Sequence, residues 1–207
     1  GEKAIQKRNK TRVKLFGVGA LGSWLAEILV RQGYNALSVV DFDKVDCHNI
    51  GTQNYGSADI GRLKVDQLRY NIFRKIGVQI EAEKDKINQD NVKRHIKGCD
   101  LVVDLFDNVQ SRLLLKRSCE INKIECVHAG LAAMGFFEVK WNEIYSLPDI
   151  DPTDGVDGPC DYPIALNLIM MRCSMTAEVI NNFVDAKAKN SIEFWLKSLK
   201  LENIGKS

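Results

Sequence analysis

The sequence predicts an α/β domain built on a mainly parallel central sheet. Three observations lead there. Strand and helix patterns alternate along the chain. A glycine-rich turn joins the first strand to the first helix. Two short apolar strands end in aspartate, at Asp41 and Asp104.

The elements follow in order. Val13 to Phe16 reads as a strand. Ala20 to Gln32 reads as a helix, with Leu21, Leu25, Ile28 and Leu29 on one face and Gly33 at its end. Leu37 to Val40 is a buried strand, Lys64 to Lys75 a helix, Gln79 to Lys84 a strand and Gln89 to Lys97 a short helix. Leu101 to Val103 is a strand, Val109 to Ile121 a helix, and Glu125 to Ala129 and Phe136 to Trp141 are strands. Ser146 to Pro163 then holds turn signals such as Asp151-Pro152 and Asp154-Gly155 and almost no apolar residues. It is expected to be a long functional or mobile loop. A helix follows from about Ile164 to Phe183. The tail, Asn190 to Leu201, is expected to be a capped amphipathic helix: Glu193 follows Asn190 by three, and Ile192, Trp195, Leu196 and Leu199 share a side.

Composition narrows the function classes. The chain has 207 residues, 45% of them hydrophobic and 27% charged, with a net charge of +2. That balance makes no case for nucleic acid or membrane as a partner. The basic start, Lys3 to Lys14, has no apolar core of a secretory signal. The densest apolar run, Ile164 to Met171, contains Asn167 and is too short to span a membrane. None of the six cysteines pairs as C-x-x-C, so a zinc ribbon is not expected. A reducing, cytoplasmic setting is the expectation.

Gly17-Val18-Gly19-Ala20-Leu21-Gly22 matches G-x-G-x-x-G between a strand and a helix. The first glycine permits the tight turn, the second lets a phosphate reach the backbone, and the third allows close helix–strand packing. The helix N-terminus offers N–H groups and a positive dipole end to phosphates. Asp41 ends the second strand, where a carboxylate can hold ribose hydroxyls. The pattern predicts a Rossmann-like nucleotide site. It does not separate NAD, FAD and ATP.

Three further clusters do. They are Asp41-Phe42-Asp43-Lys44-Val45-Asp46 with Asn49-Ile50 and Gln53; Ile60-Gly61-Arg62-Leu63-Lys64; and Asp104-Leu105-Phe106-Asp107-Asn108 with Arg112. Lys64 can neutralise phosphate as a compact charge. Asp107 can hold Mg²⁺, which takes one or two carboxylates plus phosphate oxygens. In order and spacing, the motifs from Arg12 to Met134 resemble the adenylating domain of the ubiquitin-activating-enzyme superfamily, which includes ThiF, MoeB and HesA. The resemblance implies ATP and Mg²⁺ as cofactors, with Asp41 on ribose, Lys64 on phosphates and Asp107 on the metal. Asn49 and Gln53 fall at the ATP pocket, as do Asp43 and Asn108. The domain it implies covers residues 1–187, with residues 188–207 as the helical tail.

Simpler readings stand beside these. Lys64 also fits a solvated helix-start lysine, Asp107-Asn108 a helix cap, Asp43 a turn residue, and Arg112 a surface or ion-pair residue. The sequence also departs from the family pattern. Thr52 stands where the family has an ATP-contacting arginine, and a hydroxyl cannot replace a fixed cation. Arg62 lies nearby as a substitute, and Arg8 and Arg12 lie in the basic start, where the family's N-terminal helix is absent or shortened. Cys160 lies in the loop that, in some members, carries the thiol taking the acyl group or sulfur. Its neighbours Asp157 and Asp161 would raise that thiol's pKa. Cys173 reads as core, and His48 and His128 are assigned no role.

The resemblance implies ATP-dependent adenylation of the C-terminal carboxylate of a ubiquitin-like or sulfur-carrier protein, or a peptide, with a Gly-Gly end, by a homodimer. The alternatives are a catalytically weakened scaffold subunit of a heterodimer, favoured by Thr52, and an NAD(P)-dependent oxidoreductase.

Overall fold

The computed structural model describes residues 1–132, 135–147, 166–195 and 198–204. Most of the expected crossover loop, including Cys160, lies outside them. Helix α1 (Glu2–Lys10) precedes β1 (Val13–Phe16), α2 (Gly22–Arg31) and β2 (Leu37–Asp41). Then come α3 (Lys64–Ile76), β3 (Glu81–Lys84), α4 (Val92–Ile96), β4 (Leu101–Asp104) and α5 (Val109–Asn122). β5 (Cys126–Ala132), β6 (Phe136–Trp141), α6 (Leu166–Ala186), β7 (Ile192–Trp195) and β8 (Lys200–Asn203) complete the order.

All eight strands form one sheet, ordered β3-β2-β1-β4-β5-β6-β7-β8. The first five pair in parallel and the last three add antiparallel strands. A parallel sheet buries both faces, and β1 is buried at all four positions. Val13, Leu15, Val39 and Val103 face a core completed by Leu25 and Leu29 of α2, Leu68 of α3 and Ile180 of α6. Phe16, Val40 and Val102 face a smaller core with Ile96 of α4 and Leu115 of α5. Lys14 lies on that second face, 5% exposed, bonded to Glu83 and 3.3 Å from His95 Nδ1. A buried ammonium needs such partners.

The expected C-terminal helix is a correction. Residues 192–195 and 200–203 form β7 and β8. Ile192 and Phe194 turn inward while Glu193 and Trp195 lie nearer the surface, the two-residue alternation of a strand. Phe194 stacks on Phe137 at 5.0 Å between ring centroids, and Glu193 binds Lys140 at 2.8 Å. These cross-strand pairs to β6 decide the element. The basic start, expected to lack a full helix, forms α1. It buries no residue and is tied to α6 by Arg8–Asp185 at 2.6 Å.

Candidate functional site: a nucleotide cradle at the strand ends

β1 stops at Phe16, and Gly17 takes φ +94°, a conformation that favours glycine. A Cβ on Gly22 would lie 2.0 Å from the Gly17 carbonyl oxygen, so only glycine lets α2 start this close to the turn. A Cβ on Gly19 would meet only Gln53 Nε2, at 3.9 Å, which leaves the backbone there open to a ligand. The three glycines thus divide the work as the motif predicts: turn, approach and packing.

Asp41 braces the loop from the end of β2. Its Oδ2 accepts from the Val18 N–H at 2.8 Å and its Oδ1 from the Asp43 N–H at 2.9 Å. Burial raises its pKa, against the opposing pull of those N–H groups and of Lys64. The segment after β2 is clamped to the start of α3. Val45 N–H donates to the Arg62 carbonyl, Lys64 N–H to the Asp43 carbonyl, and Lys44 bridges Leu63. That clamp buries Lys64, whose side chain is 9% exposed with Nζ 3.4 Å from Asp43 Oδ2. Lys64 is therefore not a solvated surface lysine. It is a desolvated cation paired with a half-exposed carboxylate.

Asn49 is 4% exposed, and its Oδ1 caps a short turn by accepting from the Asp46 N–H at 2.9 Å. Thr52 is fully buried, and its carbonyl accepts from Trp24 Nε1 at 2.9 Å. Thr52 Oγ1 and Gln53 Oε1 are buried without a hydrogen-bond partner. Gln53 is the side chain nearest the open Gly19 backbone, and its orphaned oxygen fits a site that is completed by a polar ligand. Arg62 is exposed and lines a groove of about 540 Å³ along α3, with Asn54, Gln67, Tyr70 and Arg74; no glycine-loop residue lines it. Arg8 and Arg12 pair within the chain, with Asp185 and Asp100.

The β4–α5 loop meets the glycine loop directly. Leu105 N–H donates to the Phe16 carbonyl at 3.0 Å, and Leu105 O lies 3.1 Å from where a Gly17 Cβ would be. This brings Asp107 to the same end of the sheet as Asp41 and Gly17. Asp107 is exposed, and Asn108 caps α5 by accepting from the Ser111 N–H at 2.9 Å. A single exposed carboxylate beside a phosphate cradle fits Mg²⁺, which completes its shell with phosphate oxygens and water.

Behind that loop lies a charged cluster in which His128 and Tyr145 join Asp104 and Arg112, the two members the sequence places in one motif. Asp104 is fully buried. Burial raises its pKa, yet Arg112 and His128 outweigh burial and hold it below the usual carboxylate range. Arg112 is 8% exposed and donates to Tyr145 Oη at 3.1 Å and to the Ala129 carbonyl at 2.9 Å. It is an interior ion pair, not a surface arginine. His128, assigned no role from sequence, meets Asp104 Oδ2 at 2.7 Å.

A sheet of this order, with a glycine turn and acidic strand ends, defines a Rossmann-like nucleotide-binding protein. The sequence model of the ThiF family matches residues 1–155, and the chain belongs to that family. A probable molybdopterin-synthase adenylyltransferase from Gracilaria tenuistipitata var. liui is 33% identical over 180 residues, 82% of this chain and 46% of that protein. Escherichia coli MccB, solved with ATP, superposes with a TM-score of 0.81 at 15% identity, over 99% of this chain and 66% of that one. E. coli tRNA N6-threonylcarbamoyladenosine dehydratase, TcdA, solved with AMP, superposes at 0.62 with 27% identity, over 68% and 61%. The chain spans about half the length of the curated relatives it matches first. Among the described residues, no helix is long and apolar enough to cross a membrane.

Proposed function

We propose that the protein adenylates a carboxylate with ATP. The observation that carries this reading is the meeting of the Gly17–Gly22 turn, Asp41, buried Lys64 and Asp107 at one end of the parallel strands. The acceptor carboxylate oxygen attacks the α-phosphorus. The bond to the β-phosphate bridging oxygen breaks, and pyrophosphate leaves with that electron pair. The glycine-loop N–H groups and the N-terminus of α2 face the phosphates. Asp41 orients the ribose, and Lys64 offsets charge that grows as pyrophosphate departs. Asn49, Gln53, Asp43 and Asn108 line the pocket. Asp107 would hold Mg²⁺, which when bound neutralises phosphate charge and favours in-line geometry. Thr52 supplies no cation, and Arg8 and Arg12 are paired within the chain. Arg62 lines the groove along α3 rather than the glycine turn, so the reading assigns the missing charge to a second copy in a homodimer.

The acceptor we propose is the C-terminal Gly-Gly carboxylate of a ubiquitin-like or sulfur-carrier protein. The 33%-identical molybdopterin-synthase adenylyltransferase supports it. Cys160 is the thiol proposed to take the acyl group afterwards: its sulfur attacks the acyl-adenylate carbonyl, the bond from that carbon to the phosphate oxygen breaks, and AMP leaves. A second reading rests on the AMP-bound TcdA likeness: the acceptor carboxylate is then the one on threonylcarbamoyladenosine in tRNA. Acceptor-dependent exchange of labelled pyrophosphate into ATP tests both. Exchange with a Gly-Gly-ended carrier supports the first acceptor, and exchange with tRNA alone supports the second. If neither supports exchange, the scaffold reading takes the place of the enzymatic one.

A further inference from the structure

Four side chains from four parts of the chain meet beneath the β4–α5 loop. Asp104 ends β4, Arg112 lies on α5, His128 lies on β5, and Tyr145 belongs to the turn after β6. Asp104 Oδ2 takes His128 Nδ1 at 2.7 Å and Arg112 Nη1 at 3.5 Å. Asp104 Oδ1 accepts from the Phe106 N–H at 3.0 Å, within the loop that carries Asp107. Tyr145 accepts from Arg112 and stacks on His128, with centroids 4.1 Å apart and planes 6° from parallel.

The second ring nitrogen fixes the orientation of the histidine. His128 Nε2 lies 2.6 Å from Asn142 Oδ1. The amide cannot be reversed, because Asn142 Nδ2 donates to the Lys116 carbonyl at 3.3 Å. Both imidazole nitrogens therefore face oxygen atoms, Asp104 Oδ2 on one side and Asn142 Oδ1 on the other. A fully buried carboxylate is held from two sides, and its remaining oxygen grips the loop backbone.

We propose that His128 and Tyr145 are positioning residues: through Asp104 and Arg112 they fix the angle at which the β4–α5 loop presents Asp107 to the divalent cation on the bound nucleotide. This rests on the nucleotide reading above. Neither side chain touches the nucleotide. They act one step further out than the partners of a ligating carboxylate, through the Asp104 carboxylate that holds the loop backbone at Phe106; loss of direct partners lowers metal affinity about tenfold or more.

The test is ATP titration calorimetry on wild-type protein, His128→Phe and Tyr145→Phe, each in excess magnesium and in EDTA. Phenylalanine at 145 keeps the ring stack and removes only the hydroxyl, so it carries the test if His128→Phe does not fold. The expected result is a magnesium-dependent gain in ATP affinity that shrinks about tenfold in His128→Phe and less in Tyr145→Phe, with affinity in EDTA unchanged. Affinity that falls equally with and without magnesium would mark a merely structural role and overturn the proposal. So would an undiminished magnesium effect in both variants. Wild-type protein that binds ATP without regard to magnesium overturns this proposal alone. Wild-type protein that does not bind ATP overturns the nucleotide reading itself, and the proposal with it.

Discussion

The Leu105 carbonyl oxygen lies 3.1 Å from the position that a Cβ on Gly17 would take. The phosphate turn and the acidic loop are therefore in backbone contact, and a change in either is felt by the other. Gly17 and Gly22 are structural in this sense, whereas Gly19 is not. Gly22→Ala forces its Cβ onto the Gly17 carbonyl and is expected to destabilise the fold by about 3 kcal/mol or more. Gly19→Ala should leave the unfolding free energy, read by urea titration, within about 0.5 kcal/mol of wild type while weakening ATP binding. Equal stability losses in the two variants would refute this division.

Asp107→Ala removes an exposed side chain, so the melting temperature should hold while exchange drops about a hundredfold. Lys64→Ala should abolish exchange as well. Its partner Asp43 is half-exposed, and Asp41, which also loses a counter-charge, keeps its two backbone N–H bonds, so the protein should remain folded. Wild-type exchange rates in both variants would sink the mechanism.

Glu27 on α2 supplies an acid-sensitive contact away from the site. Burial opposes its ionisation, but hydrogen bonds from Lys75, Asn54 and Arg31 outweigh burial and lower its pKa from 4.5 to about 2. The folded pKa is depressed, so the stabilisation is present above about 4.5 and is lost as pH falls towards 2. Glu27→Gln should flatten the wild-type decline in unfolding free energy across that window. An unchanged slope would show that the lysine contact is not made in solution.

Strand β7 makes a prediction that a helical tail would not. Phe194→Ala removes a ring that is 4% exposed and stacked on Phe137, and should cost about 3 kcal/mol. Leu199 is 73% exposed, so Leu199→Ala should change stability by less than about 0.5 kcal/mol. Comparable losses, read by urea unfolding, would favour the helical packing that puts Leu199 on a buried side.

The phosphate turn was legible because its signal is local: spacing, strand and helix all lie between Val13 and Arg31. The tail was not. Ile192, Trp195 and Leu199 fit a helical face as well as Ile192 and Phe194 fit a strand face, and short apolar runs carry both periods. Phe137, far away in sequence, settles the choice. His128 left no trace for the same reason. Its partners come from β4, which ends in Asp104, and from the turn after β6, which holds Asn142 and Tyr145, and no spacing rule connects them to β5. Arg112 read as a surface or ion-pair residue, and the ion pair is what forms; helix position alone does not reveal the β5 carbonyl and the tyrosine that complete its shell.

The antiparallel extension of the sheet also sets an order of assembly. β5 and β6 are neighbours in the chain and can zip together as soon as both exist. β6 acquires its other neighbour, β7, only after α6 has been synthesised, so the Phe137 ring has no Phe194 to stack on until late. During translation, the free edge of β6 is the part of the sheet most exposed to wrong pairing. The earlier strands hold the glycine turn and the acidic strand ends, and the last two strands close the edge that would otherwise invite aggregation.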